Sequence, residues 1–356
     1  MKTVVSVVGN RPQFIKAAPL AHALDPVVRH VLVHTGQHYD HELSEVFFQE
    51  LDLRPPDHRI DSGSGSHASQ VAAMMAGLDP VLEAEAPDLV LVYGDTNSTL
   101  AGALVAAKRG QPLGHVESGL RSFDRAMPEE VNRVVADVVS DLRFCPSQTA
   151  LDNLAAEGMT QGVHLVGDVM VDAALEFGPR ARERSGILTR LGLEPGGFAL
   201  VTVHRQSNTG PDAMPGLVEV LEAIRQPVVF PLHPRTRAAL EAAGLTARAE
   251  AAARIEPPLG YLDFTALLSS AAAVLTDSGG VQKEAYLHSV PCLTLRDSSE
   301  WVETLELGWN QLIGGLDAGR VATAMASLER PQAHPPLYGD GHAAGRIAAV
   351  IAATGS

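Results

Sequence analysis

Short runs rich in valine and leucine recur along this chain, each followed by a stretch of helical spacing, and this alternation constrains the fold more than any other feature. In the first half the runs are Thr3–Val8, Val28–His34, Leu89–Tyr93, Leu113–Val116, Leu142–Cys145 and Val163–Val166. Helical segments accompany them at Pro12–Leu24, His41–Leu51, His67–Glu85, Ser98–Arg109, Glu129–Ser140 and Thr149–Glu157. Runs that stay apolar, instead of alternating with polar residues, fit parallel strands covered on both faces. Strand–helix alternation of this kind predicts a doubly wound sheet.

The pattern restarts after Gly167-Asp168. A helix and a Gly/Pro-containing stretch at 192–197 lead into strands at Phe198–Val203, Val228–Pro231, Ala253–Glu256, Ala273–Thr276 and Cys292–Leu295. Helical segments between them are Met214–Arg225, Thr236–Ala243, Tyr261–Ser270 and Val281–Leu287. A chain of 356 residues has room for two cores. The expected fold is α/β: two Rossmann-like doubly wound domains facing across a cleft. They would span residues 1–170 and 171–340, with an alanine-rich helix in 341–356 packing back on the first. Open parallel sheets bind ligands beyond the carboxyl ends of their strands, which directs attention to the loops after each strand.

Composition removes several classes of function. The formal net charge of −15 disfavours nucleic acid and anionic membrane as partners, so an anionic substrate requires a local cationic pocket. The N-terminal apolar run is too short for a signal peptide and leads straight to Arg11 and Lys16, and no run approaches the ~18 apolar residues of a membrane span; a cytoplasmic protein is expected. Cys145 and Cys292 each end an apolar run and form no CxxC, which predicts reduced, half-buried core thiols. His34, His38 and His41 near Gln37 lack metal-ligand spacing and read as surface histidines, so no metal site is expected.

The chemistry-bearing residues gather at strand ends. After the first strand, Gly9-Asn10-Arg11-Pro12-Gln13-Phe14-Ile15-Lys16 places two cations beside a helix start, which suits a phosphate or two solvated charges. It is neither GxGxxG nor a P-loop, so dinucleotide and ATP readings lose support. Asp95, Glu117 and Glu129 follow strands or open a helix, and three carboxylates converging on one place would serve general acid–base chemistry at carbon. Asp95 also fits a helix N-cap, and Glu129 with Glu130 fits first-turn complementation of the helix dipole.

In the second half His204-Arg205 follows a strand and suits a phosphate clamp. Thr276-Asp277-Ser278-Gly279-Gly280 ends a strand and opens a helix, so Ser278, Gly279 and Gly280 offer bare backbone N–H groups to a diphosphate. Glu284, one turn inside that helix, is placed to accept hydrogen bonds from ribose hydroxyls. His233, in Pro231-Leu232-His233-Pro234, fits a ligand contact or a structural histidine capping a strand equally well.

Taken together, Gly9–Lys16, Val92–Thr96, His115–Arg121, Pro128–Arg133, His204–Arg205, Thr276–Ala285 and Tyr338-Gly339-Asp340-Gly341 resemble the non-hydrolysing UDP-N-acetylglucosamine 2-epimerase family across nearly the whole chain. The resemblance implies a GT-B-like fold, interconversion of UDP-GlcNAc and UDP-ManNAc without cofactor or metal, and a homodimer. It implies catalytic roles for Asp95, Glu117, Glu129 and His204, with Arg11 and Lys16 at the phosphates. It also implies a diphosphate cradle at Ser278–Gly280, a ribose ligand in Glu284, and Phe264 beside the uracil. The implied route is elimination and re-addition of UDP through 2-acetamidoglucal.

The chain departs from the commoner family pattern. Gln206-Ser207 stands where many members have Arg-Glu, and Trp301 stands where many have an arginine. Asn10 and Gln13 replace the more usual Thr and Glu. Pro12–Lys16, Val33–His38, Ser278–Ala285 and Glu300-Trp301-Val302-Glu303 look like the branch acting on UDP-2,3-diacetamido-2,3-dideoxy-glucuronate, which is the alternative substrate. Gln37-His38-Tyr39-Asp40 differs from the stretch that holds an activating UDP-GlcNAc in some members. A GT-B glycosyltransferase, a UDP-releasing hydrolase and a non-catalytic nucleotide-binding module are the rival readings.

Overall fold

A computed structural model describes residues 1–36, 41–63 and 65–354, and the side chains of all of these except 41–44, 206, 207 and 235. The Gln37–Asp40 stretch and the His38 and His41 side chains therefore lie outside the described residues. The chain divides into two compact units, Met1–Glu176 with Pro336–Ser356, and Phe177–Pro335. The division falls inside the helix Val169–Arg184.

The first unit holds seven strands: β1 (Thr3–Val8), β2 (Arg29–His34), β3 (His58–Arg59), β4 (Leu89–Tyr93), β5 (Leu113–Val116), β6 (Leu142–Cys145) and β7 (Val163–Leu165). They form one parallel sheet in the order β3-β2-β1-β4-β5-β6-β7. The second unit holds β8 (Ala199–Thr202), β9 (Val228–Pro231), β10 (Arg254–Glu256), β11 (Ala273–Thr276), β12 (Cys292–Thr294) and β13 (Asn310–Leu312), parallel in the order β10-β9-β8-β11-β12-β13. Both orders are the doubly wound Rossmann order, as the β-α alternation predicts.

The cores explain why these runs are strands. Val5, Val7, Val31, Val33, Val90 and Val92 pack with Met74, Leu78 and Leu82 of the helix His67–Glu85. Val201, Val203, Phe230, Leu275 and Leu293 do the same with Leu217, Val218 and Leu221 of the helix Met214–Ala223. Each such side chain taken out of water contributes about 1.5–3 kcal/mol, so residues that are buried on both sheet faces must be apolar. The helix Ala343–Ala353 belongs to the first unit: Asp172 accepts hydrogen bonds from the Ala343 and Ala344 N–H groups at 3.1 and 2.9 Å, and Lys2 donates to the Ile351 carbonyl at 2.9 Å.

Three expectations need correction. The strands β3 and β13 are mostly polar and two or three residues long, too short to show a period, and were not anticipated. Cys145 and Cys292 are wholly buried rather than half-buried, and burial pushes both thiols up to about 12. His34 is not a surface residue: it ends β2, packs against Phe14 and Phe48, and its Nδ1 accepts from the Gly36 N–H at 2.8 Å. Among the described residues no helix is long and apolar enough to cross a membrane.

Candidate active site

In each unit the strand order reverses beside the first strand, so the connections after two neighbouring strands leave in opposite directions along the sheet: those after β1 and β4 in the first unit, those after β8 and β11 in the second. Loops leaving a sheet at such a point diverge and leave room for a ligand.

In the first unit the end of β1 turns through Gly9 into the helix Arg11–Leu24. A Cβ at Gly9 would overlap the Ser98 and Thr35 hydroxyls, so only glycine passes here. Asn10 caps the helix by accepting from the Gln13 N–H at 3.3 Å. The Gln13 amide in turn accepts from the Gly9 N–H at 2.7 Å and donates to the Tyr93 carbonyl at 2.9 Å. The two departures at Asn10 and Gln13 are thus a cap and a tie between the β1 and β4 loops. Arg11 is half-buried, its guanidinium 5.3 Å over the Phe47 ring.

Lys16, one turn further on, forms an ion pair with Glu117, and both side chains are nearly enclosed. Glu117 sits just past β5 with φ +72°, a left-handed conformation that a glutamate adopts only when its surroundings over-determine it, at a cost of about 1–3 kcal/mol. The Glu117 and Ser118 N–H groups both donate to the Phe144 carbonyl, at 3.1 and 3.0 Å, and hold that conformation. A Cβ at Gly94 (φ +62°) would lie 2.9 Å from Lys16 Nζ and 3.0 Å from Glu117 Oε2, so the backbone before Asp95 runs directly against the ion pair. Asp95 itself pairs with Arg133, which also meets Glu130 at 3.0 Å, while Asn132 donates to the Asp95 carbonyl at 2.9 Å.

Lys16 and Glu117 therefore come together against the Gly94 turn, and Asp95, the next residue along it, is paired separately with Arg133. Asp95 is not the helix cap, since Thr96 takes that position. The two neighbouring glutamates separate in role: Glu130 is buried and accepts from the Ser122 N–H, the Ser122 hydroxyl, the Phe123 N–H and Arg133. Glu129 is half-buried in the first turn of the helix Pro128–Val139 and has no hydrogen-bond partner among the described residues.

In the second unit His204 and Arg205 follow β8, and Asp277, Ser278, Gly279 and Gly280 follow the adjacent β11. Asp277 is fully buried and accepts from the His204 N–H at 3.2 Å, the Arg205 N–H at 3.0 Å and the Asn208 amide at 3.1 Å. Its Oδ1 lies 3.2 Å from His204 Nδ1. Burial pushes this carboxyl up, but His204, the Arg205 N–H and Asn208 outweigh it and hold it below the usual range. Ser278 caps the helix Gly279–Leu287.

Gly279 is glycine because Glu300 occupies the space of a Cβ. Glu300 pairs with Arg296 at 3.0 Å, and Trp301 Nε1 donates to the Gly279 carbonyl at 2.9 Å. Lys283 Nζ sits 4.3 Å over the Trp301 ring. Glu284 is buried against the Tyr261 hydroxyl; burial first, and then the Glu284 charge, push that phenol well up. Phe264 is half-buried on the helix Tyr261–Ser270, and His233 is exposed at the start of the helix Pro234–Ala242.

Sequence reading missed Arg133 and Asp277 as members of these clusters, and Glu300 as the neighbour of Gly279. Arg133 and Asp277 lie inside segments quoted for the resemblance, but only contact distances show what they hold.

Two Rossmann-like sheets with such strand-end clusters define an α/β enzyme of the GT-B-like class. The family model for UDP-N-acetylglucosamine 2-epimerase matches residues 21–352. A UDP-2,3-diacetamido-2,3-dideoxy-D-glucuronate 2-epimerase of Pseudomonas aeruginosa is 44% identical, over 98% of this chain and 99% of that one. A UDP-N-acetylglucosamine 2-epimerase of Methanococcus maripaludis is 37% identical, over 97% of each chain. The crystal structure of Methanocaldococcus jannaschii UDP-GlcNAc 2-epimerase in complex with UDP-GlcNAc and UDP superposes with a TM-score of 0.91 at 36% identity, covering 98% of this chain and 99% of that one. The chain belongs to the UDP-N-acetylglucosamine 2-epimerase family, a family of isomerases.

Proposed function

We propose that this protein inverts carbon 2 of a UDP-linked 2-acetamido sugar, interconverting UDP-GlcNAc and UDP-ManNAc. The observation that carries this reading is the first-unit cluster, in which Glu117 is paired with Lys16 and Asp95 with Arg133 around one glycine turn. Two carboxylates with separate cationic partners suit proton transfer on two faces of one carbon.

The C2 proton of such a sugar is not beside a carbonyl and is weakly acidic. On the proposed route the anomeric C–O bond breaks first and UDP departs with the electron pair. The cation at C1 then acidifies C2, a carboxylate takes the proton, and the C–H electrons form the double bond of 2-acetamidoglucal. Protonation of C2 from the opposite face and return of the UDP oxygen to C1 complete the inversion. Asp95 and Glu117 are assigned to the two proton transfers and Glu129 to orientation. Lys16, Arg11, His204 and Arg205 are assigned to the charge that develops on the leaving diphosphate. Ser278, Gly279 and Gly280 would hold the diphosphate, Glu284 the ribose and Phe264 the uracil, with His233 nearby. No cofactor or metal takes part in this route. The family resemblance further supports a cytoplasmic homodimer, which sedimentation at micromolar concentration tests.

A second substrate reading is favoured by the 44% identity to the diacetamido-glucuronate enzyme and by Trp301, fixed by Gly279 and Lys283 where many family members have arginine. Proton NMR in D2O with UDP-GlcNAc and, separately, with UDP-2,3-diacetamido-2,3-dideoxy-glucuronate tests both. The epimer carrying deuterium at C2 is expected, and the faster substrate identifies the physiological sugar. Product that keeps its original C2 proton, or free UDP accumulating in step with conversion, overturns the route. UDP binding with no turnover of either sugar leaves a non-catalytic module.

A further inference from the structure

The parallel ladder between β4 and β5 pairs Val92 with His115 and Tyr93 with Val116. It continues one step past the strand, where the Gly94 N–H donates to the Val116 carbonyl at 2.9 Å. In a parallel pair the next bond would run from the Ser118 N–H to the Gly94 carbonyl. That bond is not made, because Glu117 turns into the left-handed region and the Ser118 N–H donates to Phe144 instead. The Gly94 carbonyl is buried at this point and requires a donor.

The donor is a side chain. His115 Nε2 lies 2.7 Å from the Gly94 carbonyl oxygen, and His115 Nδ1 lies 2.6 Å from Asp137 Oδ1. His115 and Asp137 are both fully buried. Asp137 also accepts from the Ser118 hydroxyl, from the Gly119 N–H at 3.1 Å and from Arg121 at 2.6 Å, and Arg121 is held in turn by Glu157 at 2.7 Å. Burial opposes the Asp137 charge, but His115, Arg121 and Ser118 bring its carboxyl down to about 2. The Gly94 carbonyl oxygen only accepts, so His115 Nε2 carries the N–H that meets it, while Nδ1 faces the Asp137 carboxylate.

We propose that His115 is a positioning residue for the acid–base cluster: with its ring held by Asp137, its Nε2–H replaces the missing ladder donor and fixes the Gly94-Asp95 turn against Lys16 and Glu117. It touches no substrate and acts through the Gly94 peptide. A displacement of about 1 Å in a reacting group costs on the order of 100-fold in rate, so loosening this turn should fall on turnover and spare binding. The inference rests on the epimerase reading for its kinetic consequence, while the hydrogen bond from Nε2 to Gly94 is independent of that reading.

The experiment has two arms. Long-range proton–nitrogen NMR of the uniformly labelled full chain, with His115→Asn as the assignment control, is expected to show the proton of the His115 ring on Nε2, the nitrogen that faces Gly94. A bare Nε2 overturns the clamp whatever the activity. In the second arm His115→Phe and His115→Gln are compared with wild type for Tm, kcat and KM on whichever UDP-sugar the wild type converts. The phenylalanine variant is expected to lose about 100-fold in kcat with KM within about twofold, and the glutamine, which keeps an N–H donor, to recover part of the loss. A folded phenylalanine variant with wild-type kcat, or a loss confined to KM or Tm, overturns the positioning role. If the wild type converts neither sugar, the epimerase reading fails and the positioning role fails with it, leaving only the NMR arm to report on the clamp.

Discussion

His204 Nδ1 lies 3.2 Å from the carboxylate of Asp277, a residue 73 positions away in the chain that is itself fully buried. The same carboxylate accepts the backbone N–H of His204 and of Arg205, so one acid fixes both the backbone and the ring of the strand-end histidine. With Nδ1 directed at the acid, Nε2 is the nitrogen left to meet a ligand. The half-exposed imidazole, 51% open to solvent, stands on a rigid support.

Asp277→Asn keeps the size of the side chain but removes its charge. Epimerase turnover is expected to fall about 100-fold, with a smaller change in KM, and stability to drop modestly. Steady-state kinetics on the preferred UDP-sugar checks this. An unchanged kcat would show that the dyad has no part in turnover.

Lys16→Met leaves Glu117 enclosed without its cation. Stability is expected to fall by roughly 3 kcal/mol, as when one partner of a buried pair is removed, and turnover to drop about 100-fold or more. Lys16→Arg, which keeps the charge, should retain most of the stability. Urea unfolding of the three proteins measures the difference.

Gly279→Ala sets a methyl group into the Glu300 carboxylate at the start of the helix Gly279–Leu287. UDP affinity by calorimetry is expected to weaken about tenfold, since the backbone N–H groups at that turn must shift. Adding Glu300→Ala makes room and should recover part of the loss. Equal affinities for Gly279→Ala and wild type would remove this turn from the nucleotide site.

Asp137 gives an acid limb to stability. Its folded-state carboxyl sits at about 2, below the ordinary value of 3.8, so the folded protein binds fewer protons than the unfolded chain between those values. The contribution is complete above about pH 5 and is lost as pH falls through 3.8 toward 2, amounting to roughly 2 kcal/mol. Urea midpoints at pH 5, 4 and 3 should fall for wild type. Asp137→Asn should start lower at pH 5 and show a shallower decline over the same range.

The strand runs, the two Rossmann-like repeats and the loops to inspect were legible in the sequence because they depend on local periodicity. Unbroken Val/Leu runs signal strands buried on both faces, and polar residues at the ends of such runs mark where the chain leaves the sheet. Gly9, Glu117, Asp95 and the Ser278-Gly279-Gly280 turn were all found on that basis. The strands β3 and β13 were not, because two or three mostly polar residues carry no period.

Only the tertiary structure decided what each of these residues meets. Lys16 and Glu117 stand 101 positions apart, and no spacing rule pairs them. The left-handed backbone of Glu117 follows from Phe144 on the next strand, and the donor on Gly94 is His115 because that turn diverts Ser118. Periodicity along a chain sets which faces are buried. Partnerships between side chains at neighbouring strand ends depend on sheet order and register, which arise only when distant strands pair.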